Sequence, residues 1–320
     1  MLAESMVIDL FKDPNFSSEF SVVLRDAEEV FKNVAEDIVI SDLCKVFQNA
    51  KSRISGKTFG KKYISRVDID VRKTHRRTVQ YEVNGYRRRA EIADISLIVK
   101  VIYKGERIRE TYSFIQLKRI YRNRVIIPYR QYFLMRYWPN FTYRGHKYVV
   151  NHLEKCSDAF SFFTFYPRNV LYYRDLEPWI IVVYNEKYRE LRILYPLWSW
   201  YWYRIFLHLN TQTLSYSVGS LQQLIDETCS IIKSKLVHKE YKRALNLAKL
   251  EKLISDVMHP IPFSSIIVFS MLGYLGVHDE NLRQWLTLLF NVDPPRRDEK
   301  IVRNAKIAIV IKITSEGLRR

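Results

Sequence analysis

The runs Ile95–Tyr103 and Arg107–Leu117, joined by the turn-like Lys104-Gly105-Glu106, constrain the fold of this chain more than any other stretch. Both are long, apolar-rich and extended in pattern, so they read as an antiparallel hairpin. In such a hairpin the start of one strand lies beside the end of the other. The turn therefore brings Asp94, which opens the first run, close to Gln116 and Lys118, which close the second. Gln116 and Lys118 are two apart and share a face about 7 Å apart along the strand. Phe114 begins that face, while Ile115 and Leu117 point the other way. Polar groups at the end of an otherwise apolar strand call for a partner or a function.

The flanking sequence extends this pattern. Residues 18–50 read as helical, with Ser17 or Ser18 as the cap and Val22, Val23, Ala27, Val30, Phe31 and Val34 at helical spacing. Lys51–Lys62 reads as a basic connector. Val67, Ile69 and Val71 alternate with polar residues, as do Val79, Tyr81 and Val83, which run into the hairpin signal Asn84-Gly85. Residues 64–118 are thus expected to form an antiparallel meander of about four strands with a helix on the N-terminal side.

Beyond Lys118, Pro128 fits a helix start and residues 131–137 a short helix. Short strands are expected at 160–165, at 179–184 and at 191–195. Apolar residues recur at helical spacing from Ser220 to Leu253, and two further helices are expected at 263–275 and 280–290, then a strand at 307–313. The expected division is an acidic helical segment at 1–50, a basic core at 51–210 and a mostly helical region at 211–320 that ends in a strand. Ile261–Val277 is apolar but holds Pro262 and is shorter than a spanning helix, so it reads as buried core.

Charge is sharply segregated along the chain. Residues 51–147 hold 25 Lys and Arg against 7 Asp and Glu, an excess equal to the whole net charge of +18. Residues 1–50 hold 4 basic against 10 acidic residues. Localised positive potential is what a phosphate backbone selects for, so nucleic acid is the expected partner. Arg76, Arg77, Arg87, Arg88, Arg89, Arg119, Arg122 and Arg124 are the candidate phosphate contacts. The tyrosines and Trp138 interleaved with basic residues from 119 to 147 suit either base stacking or, for any single ring, the core. The Trp198–Tyr203 cluster suits core packing or, with the C-terminal helices, self-association.

Other chemistries lack their residues. Three widely spaced cysteines (Cys44, Cys156, Cys229) indicate neither a disulfide framework nor a CxxC site and favour an intracellular, cytoplasmic setting. The N-terminus lacks the basic opening of a signal peptide, and no membrane partner is expected. The histidines show no HExxH spacing, and no GxxxxGK[ST] loop occurs.

What remains at the hairpin suits phosphodiester hydrolysis. Mg²⁺ takes hard oxygen ligands, with one or two protein carboxylates beside waters. Asp94 offers the carboxylate, and the Gln116 amide oxygen or the Ile115 carbonyl offers a second oxygen. Lys118 can hold the attacking water or stabilise charge on the transition state. Glu240-Tyr-Lys242 and Asp298-Glu-Lys300 also fit an acid-x-Lys pattern, but neither ends an apolar strand paired to one that begins with an acid.

An acidic helix, a strand meander, an Asp at a strand start and then Ser113-Phe-Ile-Gln-Leu-Lys118 resemble the PD-(D/E)XK nuclease superfamily in its Gln-x-Lys variant. The resemblance covers roughly residues 20–185 and departs from the family pattern at Ala93, where the motif has Pro. It implies an α+β, restriction-endonuclease-like mixed sheet with an αβββαβ core, and a mostly helical C-terminal region. By the same resemblance Asp94 takes the acid role, Gln116 the second acid position and Lys118 the catalytic lysine. Glu28, Glu29 or Glu91 would be an additional ligand. The implied activity is a nuclease using Mg²⁺ or Mn²⁺, with DNA as substrate. An inactive nucleic-acid-binding protein of the same fold and a structural or assembly protein are the alternatives.

Overall fold

In the computed structural model the described residues are 2–32, 35–74, 78–83, 85–120, 124–167, 181–185, 190–194, 213–221, 223, 261–291 and 306–318. The N-terminal third is helical. Helix α1 (Leu2–Phe11) is followed by α2 (Pro14–Glu29) and α3 (Glu36–Ile54). Asp13, rather than Ser17 or Ser18, caps α2: its carboxylate accepts from the Asn15 and Phe16 N–H groups at 2.9 and 3.3 Å. Pro14 stands at the first helical position, where its missing N–H costs nothing. The helical run expected over 18–50 is thus two helices, one starting earlier and one continuing to Ile54. Phe16, Phe20, Val23 and Ala27 of α2 and Val39, Leu43 and Phe47 of α3 form their buried stripes.

The strands are β1 (Thr58–Phe59), β2 (Tyr63–Thr74), β3 (Val79–Val83), β4 (Tyr86–Ala90), β5 (Ile95–Tyr103), β6 (Glu106–Ile120) and β7 (Arg124–Pro128). Helix α4 (Tyr129–Tyr137), β8 (Phe141–Tyr143), β9 (His146–Tyr148) and a 3-10 turn at Asn151–Ala159 lead to β10 (Ser161–Pro167). The later elements are β11 (Ile181–Asn185), β12 (Glu190–Leu194), β13 (Leu214–Ser217), α5 (Phe263–Leu272), α6 (Glu280–Asn291) and β14 (Lys306–Leu318).

The architecture is α+β around a seven-stranded mixed sheet of order β1-β2-β14-β5-β6-β10-β13. The β5–β6 hairpin forms with Tyr103 opposite Glu106 and Ile95 opposite Ile115. The simple meander expected over 64–118 does not form. β14 inserts between β2 and β5, antiparallel to the first and parallel to the second. β3 and β4 leave for a separate four-stranded sheet of order β4-β3-β8-β9. The reason lies in β14, whose Ile307, Ile309, Ile311 and Ile313 face one layer while Ala308 faces the other. A strand covered on both faces belongs inside a sheet rather than at its edge.

Two apolar layers sandwich this sheet. Ile95, Leu97, Val99, Ile115 and Leu117 meet α1–α3 and α5 on one side. Ile98, Tyr112, Phe114 and Phe163 meet α4 and α6 on the other. Burying each such aliphatic or aromatic side chain is worth about 1.5–3 kcal/mol. Tyr132, Trp138 and Tyr143 of the basic 119–147 stretch lie in this second layer, so these rings serve the core. Trp138 ends α4 with a left-handed φ of 43° and donates from its indole Nε1 to Ser161 Oγ at 2.9 Å. Segment 263–272 is buried core, as its interrupted apolar pattern suggests. Among the described residues, no helix is long and apolar enough to cross a membrane.

Candidate active site

The hairpin register places Asp94 where β5 begins and Gln116 where β6 approaches its end. The Asp94 N–H donates to the Ile115 carbonyl at 3.0 Å, which fixes the carboxylate over the neighbouring strand. Asp94 Oδ2 then accepts from the Leu117 N–H at 2.7 Å and from Gln116 Nε2. Asp94 is fully buried and Gln116 nearly so. Because the Gln116 NH₂ is committed to Asp94, its Oε1 is the free end of the amide, and that buried oxygen has no hydrogen-bond partner. Lys118, partly buried, follows two residues on. β10 runs parallel alongside, with Phe163 opposite Gln116 and Phe165 opposite Lys118, and flanks this end of the strand.

A second cation reaches the site from the far end of the chain. The Ile307 N–H donates to the Asp94 carbonyl at 3.1 Å, and the parallel register puts Lys306 beside Asp94. Lys306 Nζ donates to Asp94 Oδ1 and lies 2.9 Å from Glu91 Oε2. Burial disfavours its ammonium, but the Asp94 and Glu91 carboxylates outweigh that and hold the group above the ordinary lysine range. The only sequence signal for Lys306 is a lone lysine at the head of an apolar strand.

The helix acid at this site is Glu36, in the first turn of α3. Burial and then the Asp94 charge raise its carboxyl from 4.5 to about 7, against the pull of Lys118 and Lys306, and Glu91 raises it further. Tyr166, on β10, is pushed above the usual phenol range by burial and then by Glu36 and Asp94. Its buried hydroxyl also lacks a hydrogen-bond partner.

The other expected ligands are engaged elsewhere, with the exception of Glu91. Glu28 is buried, and its two oxygens accept from Thr213 Oγ1 and the Ser264 N–H, each at 2.8 Å. Thr213 Oγ1 in turn accepts from the Phe263 N–H at 2.8 Å, so Glu28 ties α2 to the first-turn N–H donors of α5. Glu29 is solvent-exposed and paired with Lys32. Both lie on α2, which ends before the chain turns into α3, whereas Glu36 in the first turn of α3 feels the charges of Asp94, Lys118 and Lys306.

Arg87 and Arg89 are exposed and Arg88 partly so, on β4, the edge of the four-stranded sheet. Arg119 lies partly buried at the end of β6, and Arg124 opens β7. Arg76, Arg77 and Arg122 lie outside the described residues, as do the Trp198–Tyr203 cluster and both alternative acid-x-Lys motifs.

Chemically, the cluster offers oxygen donors (Asp94, Glu36, the Gln116 amide) and two amines at the ends of three adjacent strands. No family model, curated protein or solved structure matches the chain. Among the described residues no group of three or more His, Cys, Asp or Glu side chains could hold a metal ion by itself. A divalent ion here would draw on an amide or backbone oxygen as well, which the unpartnered Gln116 Oε1 fits, whereas the Ile115 carbonyl already accepts from the Asp94 N–H.

Proposed function

We propose that this protein is a divalent-metal-dependent nuclease of the PD-(D/E)XK kind, acting on DNA. The observation that carries the reading is Gln116: its NH₂ is fixed on Asp94, and its buried oxygen is left without a partner two residues before Lys118. The restriction-endonuclease-like core is supported by the β5–β6 hairpin, by α3 before it, and by the return of the chain through α4 to β10 parallel to β6.

Asp94, Glu36 and Gln116 Oε1 are the groups that would hold Mg²⁺ or Mn²⁺. When bound, such an ion polarises the phosphate and lowers the pKa of a coordinated water. Lys118 orients the attacking water or offsets the negative charge that grows on the phosphate oxygens. Arg87, Arg88 and Arg89 hold the backbone outside the site, by charge rather than by base identity. Phe163 and Phe165, buried on the same face beside Gln116 and Lys118, exclude water from that side of the strand end and strengthen its charge interactions.

One observation favours a second reading, a nuclease-like fold that binds nucleic acid without cutting it: Lys306 already neutralises Asp94. The two separate in one assay. Supercoiled and single-stranded DNA are incubated with Mg²⁺ or Mn²⁺ and wild-type protein, Asp94→Asn or Lys118→Ala. Cleavage by the wild type that both variants lose supports the nuclease. Salt-sensitive binding with no cleavage by any form supports the second reading, and equal cutting by all three removes the hairpin as the active site.

A further inference from the structure

Lys306 is unusual in its position and its partners. A side chain with 9% of its surface exposed brings an ammonium between a fully buried aspartate and a nearly buried glutamate. It does so from a strand that pairs parallel to β5, with Ile307 opposite Ile95, so the backbone fixes the lysine against Asp94. Both oxygens of Asp94 are hydrogen-bonded in this arrangement. Oδ2 is taken by Leu117 and Gln116, and Oδ1 by Lys306. Glu91, by contrast, lies before β5 in an irregular stretch and holds the same ammonium at 2.9 Å.

We propose that Lys306 is a built-in counter-ion which a divalent metal must displace from Asp94, the ammonium then resting on Glu91 alone. This rests on the metal-dependent reading of the site and gives that site a threshold. Without metal the lysine offsets one of the two buried carboxylate charges and holds the three strand ends together. With metal the same lysine stays near by, so an ion that leaves is replaced at once by an internal charge. A buried carboxylate left alone would be costly, and the exchange of one cation for another avoids that state. The consequence is a site that binds metal weakly and is stable without it.

The test is Mn²⁺ binding by the full-length chain, followed by electron paramagnetic resonance, for wild type, Lys306→Met, Glu91→Gln and Asp94→Asn. Lys306→Met is expected to bind Mn²⁺ at least about tenfold more tightly, since a unit charge a few ångströms away in a partly buried site is worth that much or more. Glu91→Gln is expected to bind more weakly than wild type, because the displaced ammonium loses its second seat. Mn²⁺ binding by Lys306→Met no tighter than by wild type, with binding still lost in Asp94→Asn, overturns the displacement and leaves the metal-dependent reading intact. No binding by any of the four proteins overturns both. Should Lys306→Met not fold, a crystal structure of the wild type with Mn²⁺ decides instead: Nζ on Glu91 alone supports the exchange, and Nζ still on Asp94 beside the bound ion overturns it.

Discussion

Lys306 and Asp94 are 212 residues apart in the chain, yet the ammonium of one donates to the carboxylate of the other inside the central sheet. That pair joins the last strand to the hairpin on which the proposed chemistry depends. Its strength and its cost follow from burial, since Asp94 is fully buried and Lys306 is the ammonium that pairs with it, while Lys306 is shared with Glu91.

Removing one member should therefore be severe. Asp94→Ala leaves the Lys306 ammonium on Glu91 alone and strands the Gln116 NH₂ and the Leu117 N–H, and the expected loss is about 3–5 kcal/mol in urea unfolding. Asp94→Asn keeps an acceptor for two of the three and should lose less. Equal stability of both variants and wild type would mean that the pair does not hold the strand ends.

Glu36 should make stability depend on pH in a definite direction. Its folded pKa, about 7, lies above the ordinary 4.5, so the fold favours the neutral carboxyl. The stability this supplies is present below pH 4.5 and is lost as pH rises through 7. Glu36→Gln should then gain over wild type at pH 8 by about 2 kcal/mol, allowing for partial solvent contact, and gain little at pH 4. Denaturation curves at the two pH values check this; a gain that is the same at both would show that Asp94 and burial do not act on Glu36 as described.

Glu28 separates a structural acid from the site acids. Glu28→Ala leaves Thr213 Oγ1 and the Ser264 N–H short of an acceptor, at an expected cost of roughly 1–3 kcal/mol. DNA cleavage measured well below the melting temperature should remain near wild type. A large loss of cleavage without a loss of stability would return Glu28 to the site.

The arginines of β4 should act through charge alone. Replacing Arg87, Arg88 and Arg89 together with Ala should weaken DNA binding similarly for unrelated sequences and reduce the salt slope by about one unit for each phosphate no longer neutralised. Fluorescence anisotropy over a range of salt concentrations measures this. An unchanged slope would place the nucleic-acid path elsewhere.

Much of this could be read from residues close together in the chain. The turn at Lys104-Gly105 and two apolar runs define the β5–β6 hairpin and bring Asp94 near the end of β6, while a one-residue register shift between Val101 and Ile102 sets the final pairing of Ile95 with Ile115. Side-chain alternation likewise sends Phe114 and Leu117 into opposite layers. The concentration of positive charge in residues 51–147 is a property of composition and needed no fold. Local hydrogen bonding and strand periodicity suffice for such features because the interacting groups are separated by a single turn.

The membership of the site beyond the hairpin was decided only by tertiary structure. Alternating isoleucines mark β14 as a buried strand, but they do not say that its neighbours are β2 and β5, so nothing local brings Lys306 to Asp94. Nor does helical spacing say which of Glu28, Glu29 and Glu36 faces the strand ends, since that depends on where α2 stops and how α3 packs. Strand pairing across long sequence separations is selected by the burial of two whole layers at once, and that quantity is not written at any one position.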